Sequence, residues 1–403
     1  MTEIMKYFFI LGTNPELSIA ELTAVFDLKN VAATNFILPN KHVFIVELDK
    51  NINCNQIISR LGGIIKIGEI FAESKKHSAD IFAKIKENSA IQEKKFMFGF
   101  SSYLNNFYIK PLAMELKKAL KEEGIASRWV TSREPVLSSV VVEQNDLITE
   151  GAEFVLIEHA GKVVQIGRTL AVQPFKDLSF RDFGRPARDD HSGMLPPKLA
   201  QIMISLSKVK PEQTLLDPFC GSGTVITEAA LMGLGSLIGS DISPKAIEDT
   251  KTNIEWIKDN YQLSITNYEL YNKSASELSR FIKTNSVDVI VTEPYLGPQR
   301  GQHDIRAVVK ELEELYAKSI SEFNKVLTDH GRVVMIWPVF RTKEGNIFLS
   351  KNIAGNFKII FPLPENLHNK NLRLSNRQTI IYGRPEQRVW REIVILEKID
   401  NFQ

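Results

Sequence analysis

Cysteine is scarce: the 403 residues hold two, Cys54 and Cys220, outside any C-x-x-C spacing. That excludes a disulfide scaffold and a zinc ribbon, and it fits a reducing compartment. Long apolar runs are missing as well. None approaches the ~18 residues of a membrane span, and Tyr7 to Leu11 leads into Asn14-Pro15 without a small-residue cleavage site. An excess of charge of one sign is also lacking: 50 Lys and Arg against 48 Asp and Glu leave +2, so composition alone points to no polyanionic partner. The seven histidines are scattered, which gives a metal site no support, and no repeat period marks a solenoid. The expectation is a cytoplasmic protein with no membrane segment and no metal, with a monomer left open.

What is present is an ordinary globular balance, 43% hydrophobic and 24% charged, in a chain long enough for two or three domains at ~150 residues each. Residues 1–74 alternate strand and helix patterns in a β-α-β-α-β order, a small ferredoxin-like unit. Residues 75–170 read as a compact α+β module, with strands expected at Ser127 to Thr131 and Ser138 to Val142 and a hairpin turning at Ala160-Gly161. Residues 171–191 form an Arg-rich connector. From 192 to 403 strands alternate with helices at the spacing of a doubly wound, mainly parallel sheet, so the fold class is α/β with a Rossmann-like last domain.

Ligands of such sheets bind beyond the carboxyl ends of the strands. The loop Asp217-Pro218-Phe219-Cys220-Gly221-Ser222-Gly223-Thr224 stands there, after the first strand of this domain. Gly221 and Gly223 permit a tight turn and a close ligand. Asp241 ends the next strand, 20 residues after Gly221, the spacing of an acid that takes ribose hydroxyls. A dinucleotide would want a third glycine and would be repelled by Asp217. Adenosine carrying a cationic amino acid and no phosphate fits better, and that ligand is S-adenosylmethionine. A bare G-x-G would otherwise be a simple turn. Cys220, inside this loop, reads as a packed small residue and not as a nucleophile.

The strand Val287 to Thr292 runs into Glu293-Pro294-Tyr295-Leu296-Gly297-Pro298 at the same rim. An exocyclic base amine is a poor nucleophile because its lone pair is delocalised. A carboxylate and a proline-held carbonyl accepting from its N–H groups would localise that pair, and a neighbouring aromatic can stack on the base. Glu293, Pro294 and Tyr295 are therefore the candidate catalytic residues; the plainer alternative is a proline-terminated strand with a surface acid. Arginines beside aromatics, at 176–188 and 371–391, suit phosphate contacts. Arg181, Arg185 and Arg188 are the candidates for RNA, against a reading as ordinary ion-paired loops.

With AVQPF at 171–175, RDFGRPARD at 181–189, SGMLPPKLAQIMISL at 192–206, DPFCGSGTVITEAALMG at 217–233 and GSDIS at 239–243, the chain resembles the THUMP-domain tRNA guanine-N2 methyltransferases that act on guanosine 10. The resemblance implies a ferredoxin-like domain, a THUMP domain over 75–170 that grips tRNA, and a methyltransferase domain. It implies Gly193, Met194 and Leu195 beside the methionine moiety, Asp217, Pro218, Cys220, Gly221, Gly223 and Thr224 around the cofactor's centre, and Asp241 with Ile242 at ribose and adenine. Ser274 and Ala275 stand where the family has an aspartate-containing segment near the adenine. The acceptor loop differs too: Glu-Pro-Tyr-Leu replaces the family's Asp-Pro-Pro-Tyr. The alternatives left open are an adenine-N6 or cytosine-N4 amino-methyltransferase on DNA or RNA, and a tRNA-binding protein that has lost transfer.

Overall fold

The computed structural model describes residues 4–88, 95–159, 163–188, 194–298, 303–367 and 372–399. The chain forms two compact units: Met1–Pro15 with Asn30–Lys176, and Glu16–Lys29 with Asp177–Gln403.

In the first unit the strands are β1 (Met5–Leu11), β2 (Ala33–Asn40), β3 (Val43–Leu48), β4 (Ile64–Lys75), β5 (Lys95–Tyr103), β6 (Ala126–Val130), β7 (Gly151–His159) and β8 (Val163–Val172). Among the described residues they make one eight-stranded sheet in the order β2-β3-β1-β4-β8-β7-β5-β6. The two regions read separately as 1–74 and 75–170 thus share a sheet, through antiparallel pairing of β4 with β8. Helix α1 (Pro15–Leu28) falls, from Glu16 on, in the second unit; α2 (Cys54–Ile58), α3 (Ser78–Asn88), α4 (Ile109–Glu122) and α5 (Ser139–Gln144) accompany the strands of the first. The face of α4 that carries Leu112, Leu116 and Leu120 is buried with Phe98, Phe100 and Phe154, a stripe set by the 3.6-residue period. The strand expected at Ser138 to Val142 is instead α5: the Ser138 hydroxyl accepts from Val141 N, and that N-cap outweighs the β preference of three valines. The turn expected at Ala160-Gly161 lies outside the described residues.

Helix α1 groups with the second unit, where Glu16 Oε1 accepts from Arg373 N at 2.7 Å and Asp27 pairs with Lys208 at 2.5 Å. This unit continues with α6 (Phe175–Phe183), which occupies much of the expected connector, and α7 (Pro197–Leu206). Then follow β9 (Thr214–Asp217), α8 (Thr224–Leu231), β10 (Ser236–Ser240), α9 (Pro244–Tyr261), β11 (Tyr268–Tyr271), β12 (Val287–Thr292), α10 (Ile305–Val326), β13 (Leu327–Thr342), β14 (Gly345–Phe348), β15 (Phe357–Ile359), β16 (Ile380–Tyr382) and β17 (Val389–Lys398). The sheet order is β11-β10-β9-β12-β13-β17-β15; the strands from β11 to β13 are parallel, and β17 pairs antiparallel with both β13 and β15. Between β9 and β12 the order reverses. That is the switch point where an α/β sheet opens a crevice.

Candidate active site

A cleft of about 730 Å³ lies at the switch point. Among the residues expected from sequence, Met194, Leu195, Asp217, Pro218, Cys220, Gly221, Thr224, Asp241, Ile242, Ser274, Ala275, Glu293, Pro294 and Tyr295 all line it. Gly193 lies outside the described residues. Gly223 stands behind the wall as the N-cap of α8 at φ +82°, where a Cβ would come within 2.8 Å of the Thr250 side chain. Only glycine combines that backbone with that closeness.

Each loop is held by hydrogen bonds that the sequence makes locally. Cys220 N donates to Ser240 O at 3.0 Å, tying the glycine loop to β10. Gly221, at φ +52°, donates its N–H to Asp241 Oδ2 at 3.0 Å, while Ser243 N donates to Oδ1 at 2.9 Å. Asp241 is thereby fixed at the rim. Ile242 beside it is 74% exposed. Ser274 caps a short 3₁₀ turn by accepting from Ser276 N. Cys220 is buried, its thiol pushed well up by burial and by Asp217, so it behaves as a packing residue.

Asp217 is buried at the end of β9 and accepts from Thr292 Oγ1 at 2.7 Å and from Phe219 N at 3.2 Å. Its pKa is pushed up to about 7, first by burial and further by the charges of Asp241 and Glu293. Glu293 follows β12. Its side chain is 11% exposed, and Oε1 accepts from Arg391 Nε at 2.5 Å. Burial raises its pKa above the ordinary glutamate value and Arg391 opposes the rise. The Tyr295 ring is 58% exposed, and its carbonyl accepts from the buried Tyr316 hydroxyl at 2.9 Å. Among the described residues no backbone N–H donates to the Pro294 carbonyl.

The arginine reading needs correction. Arg181 is 6% exposed and bonds Glu228 at 2.7 Å as well as Asp177; Arg185, also 6% exposed, donates to Thr224 Oγ1 at 2.5 Å. Both face the protein interior, where no phosphate reaches them. Arg188 is half-buried and lies over the Phe183 ring. In the second segment Arg377 pairs with the buried Glu392 and Arg391 with Glu293. Arg391 is the site residue that sequence reasoning missed. It meets Glu293 only through the register of β17 on β13, and an arginine in an arginine-rich stretch carries no mark of that.

Comparison with known proteins gives the following. The family described as RMKL-like, methyltransferase domain, matches residues 185–345, and one described as a DNA methylase matches residues 49–252. A tRNA (guanine(10)-N2)-dimethyltransferase of Methanothermobacter thermautotrophicus is 32% identical over 39% of this chain and 42% of its own length. The protein of that name from Methanocaldococcus jannaschii is 33% identical over 49% of this chain and 53% of its own. The one from Pyrococcus abyssi is 24% identical over 83% and 88%. The chain thus aligns with about half the length of the first two relatives. Among solved structures, TrmN from Thermus thermophilus superposes with a TM-score of 0.53 at 16% identity over 98% of this chain and 100% of that one, a likeness of fold.

Proposed function

We propose that the chain, whose residues 185–345 match the RMKL-like methyltransferase domain, moves a methyl group from S-adenosylmethionine to the N2 amine of a guanosine in tRNA, at position 10 as the relatives' names suggest. One observation carries this reading. The Asp217–Gly223 loop after β9 and the Glu293–Tyr295 loop after β12 line a single cleft, so a donor and an acceptor can face each other across it.

The residues present fit the cofactor. A Cβ at Gly221 would meet nothing within 4 Å, so the loop opens on the cleft; Asp241 is preoriented for two hydroxyls and Ile242 offers an apolar face for a base. Asp217 supplies negative charge near a cationic amino acid. S-adenosylmethionine, when bound there, supplies a methyl carbon activated by a sulfonium. The protein's own part is to hold and aim the amine. Glu293 accepts one N2–H and the Pro294 carbonyl the other, drawing the lone pair out of the ring, while Tyr295 stacks on the base. As the N–C bond forms and the methyl–sulfur bond breaks, its electron pair returning to sulfur to leave a neutral thioether, Glu293 is placed to take the N2 proton. In this reading the first unit holds the RNA as a THUMP-type module, and the enzyme is cytoplasmic.

Mass spectrometry of nucleosides from tRNA incubated with the protein and S-adenosylmethionine tests this. N2-methylguanosine or its dimethyl form is expected. Unmodified tRNA alongside methylated adenine or cytosine in a DNA control would transfer the reading to the DNA methylase likeness. Tight tRNA binding with no product on either nucleic acid would mark a chain that binds without transferring.

A further inference from the structure

Glu293 and Arg391 are 98 positions apart in the chain and are brought together by three neighbouring strands. β13 lies between β12 and β17, so the backbones that carry the two side chains stand roughly 10 Å apart. Each side chain covers part of that distance. An aspartate at 293 would be ~1.5 Å shorter and would fall out of hydrogen-bond reach of Arg391 Nε, now 2.5 Å from Oε1. The bond uses one oxygen of the carboxylate, and Oε2 receives no hydrogen bond from a described residue. Glu293 is part of the cleft wall and Arg391 is not. The arginine reaches the carboxylate from β17, none of whose described residues lines the cleft.

We propose that Arg391 is a positioning residue for the transfer: by holding Oε1, it keeps the longer acid of this loop ionised and leaves Oε2 aimed at the acceptor amine. Glu293 and Arg391 then act as one unit that does the work of the shorter aspartate in the related loops. The inference rests on the reading above, in which Glu293 accepts from the substrate amine. Charged and titratable groups facing Glu293 are Arg391 from β17, Asp217 from the end of β9, with Asp241 beyond it, and Tyr316 from α10. Only Arg391 among them favours the ionised form.

The test is the pH profile of turnover for wild type, Arg391→Gln, Arg391→Lys and Glu293→Asp, together with a carbon-13 NMR titration of the Glu293 carboxyl, assigned by its absence in Glu293→Gln. An opposite charge at this distance lowers a carboxylate by about 1–3 units. Its removal therefore raises the Glu293 midpoint, and the acid limb of kcat moves to higher pH by the same amount. At pH 7 the Gln variant loses ~10-fold or more in kcat and recovers it toward pH 9, with KM for tRNA unchanged. Lys restores the limb because it restores the charge, and Glu293→Asp behaves like Arg391→Gln. An unmoved limb in Arg391→Gln overturns the proposal. So does a rise in KM at constant kcat, which would make Arg391 a phosphate contact. If wild type makes no methylguanosine while the NMR midpoint still shifts, the pair stands and the guanine-N2 reading falls.

Discussion

Each unit buries an acid against a basic side chain, and the two acids are treated differently. In the first unit Glu153 is fully buried and both oxygens are taken: Oε1 accepts from Lys66 at 2.5 Å and from Ser101, and Oε2 accepts from Thr169 at 2.6 Å. Lys66 also donates to Leu137 O at 2.6 Å. The network joins β4, β5, β7 and β8 to the loop before α5 and leaves the carboxylate nothing to offer. Glu293 in the second unit has one oxygen bonded to Arg391, the other without a hydrogen bond from a described residue, and lines the cleft just past a strand end. A carboxylate sealed in the core with both oxygens bonded to side chains acts as scaffold. One left half-used at a sheet's rim is available to a substrate.

The largest effects should separate those roles. Glu293→Gln keeps the shape and an acceptor for Arg391, so unfolding free energy should stay within about 1 kcal/mol of wild type, while kcat falls by about 10²–10⁴, as expected when a positioned acid–base group is removed. Lys66→Met should do the reverse. It strands Glu153 as a buried charge at a cost of about 3–5 kcal/mol in denaturant unfolding, and transfer per folded molecule should persist. A Glu293→Gln variant that unfolds easily, or a Lys66→Met variant of wild-type stability, would erase the distinction. Arg181 belongs with Lys66 and not with RNA. Arg181→Met should lower stability by about 3–5 kcal/mol through the exposed need of Glu228 for a partner, and leave the salt slope of tRNA binding unchanged.

Asp217 supplies a test by pH. Its folded value, about 7, is raised above that of an unfolded aspartate, so the protonated form is favoured by folding. The resulting stability is complete below about pH 4 and is lost as pH rises through about 7. Against Asp217→Asn, wild type should therefore lose stability over that window, while its affinity for the cationic cofactor, measured by calorimetry, rises over the same window. Equal slopes for both proteins would mean that Asp217 is ionised throughout.

How much of this was legible without coordinates depended on the range of each interaction. The glycine loop and Asp241 lie close in sequence, and their 20-residue spacing marked both as rim residues; the Gly221 N to Asp241 Oδ2 bond between them is a contact the spacing did not name. Alternating strands and helices placed Glu293 at the same rim, because a parallel sheet brings its strand ends together. Arg391 was not legible, since its partner is fixed by strand register across β13. The charge pattern of Arg181 and Arg185 misled, because a row of arginines does not say which face of a helix or turn is covered. Three consecutive valines read as strand at α5, where one serine cap decided for helix.

The smallest expected effect concerns the aromatic of the acceptor loop. Tyr295 is more than half exposed, so packing does not hold it, and its position depends on the backbone bond from the Tyr316 hydroxyl to its carbonyl. Tyr316 itself is fully buried, with its acidity suppressed by burial and by the charge of Glu293, and it remains a donor at any pH the protein tolerates. Tyr316→Phe removes that donor and little volume. The cost in stability should be about 1 kcal/mol. If Tyr295 stacks on the target base, its loosened aim should raise KM for tRNA several-fold while cofactor affinity stays fixed. If KM and kcat are both unchanged, Tyr295 serves as a wall of the cleft and the base is held by other groups.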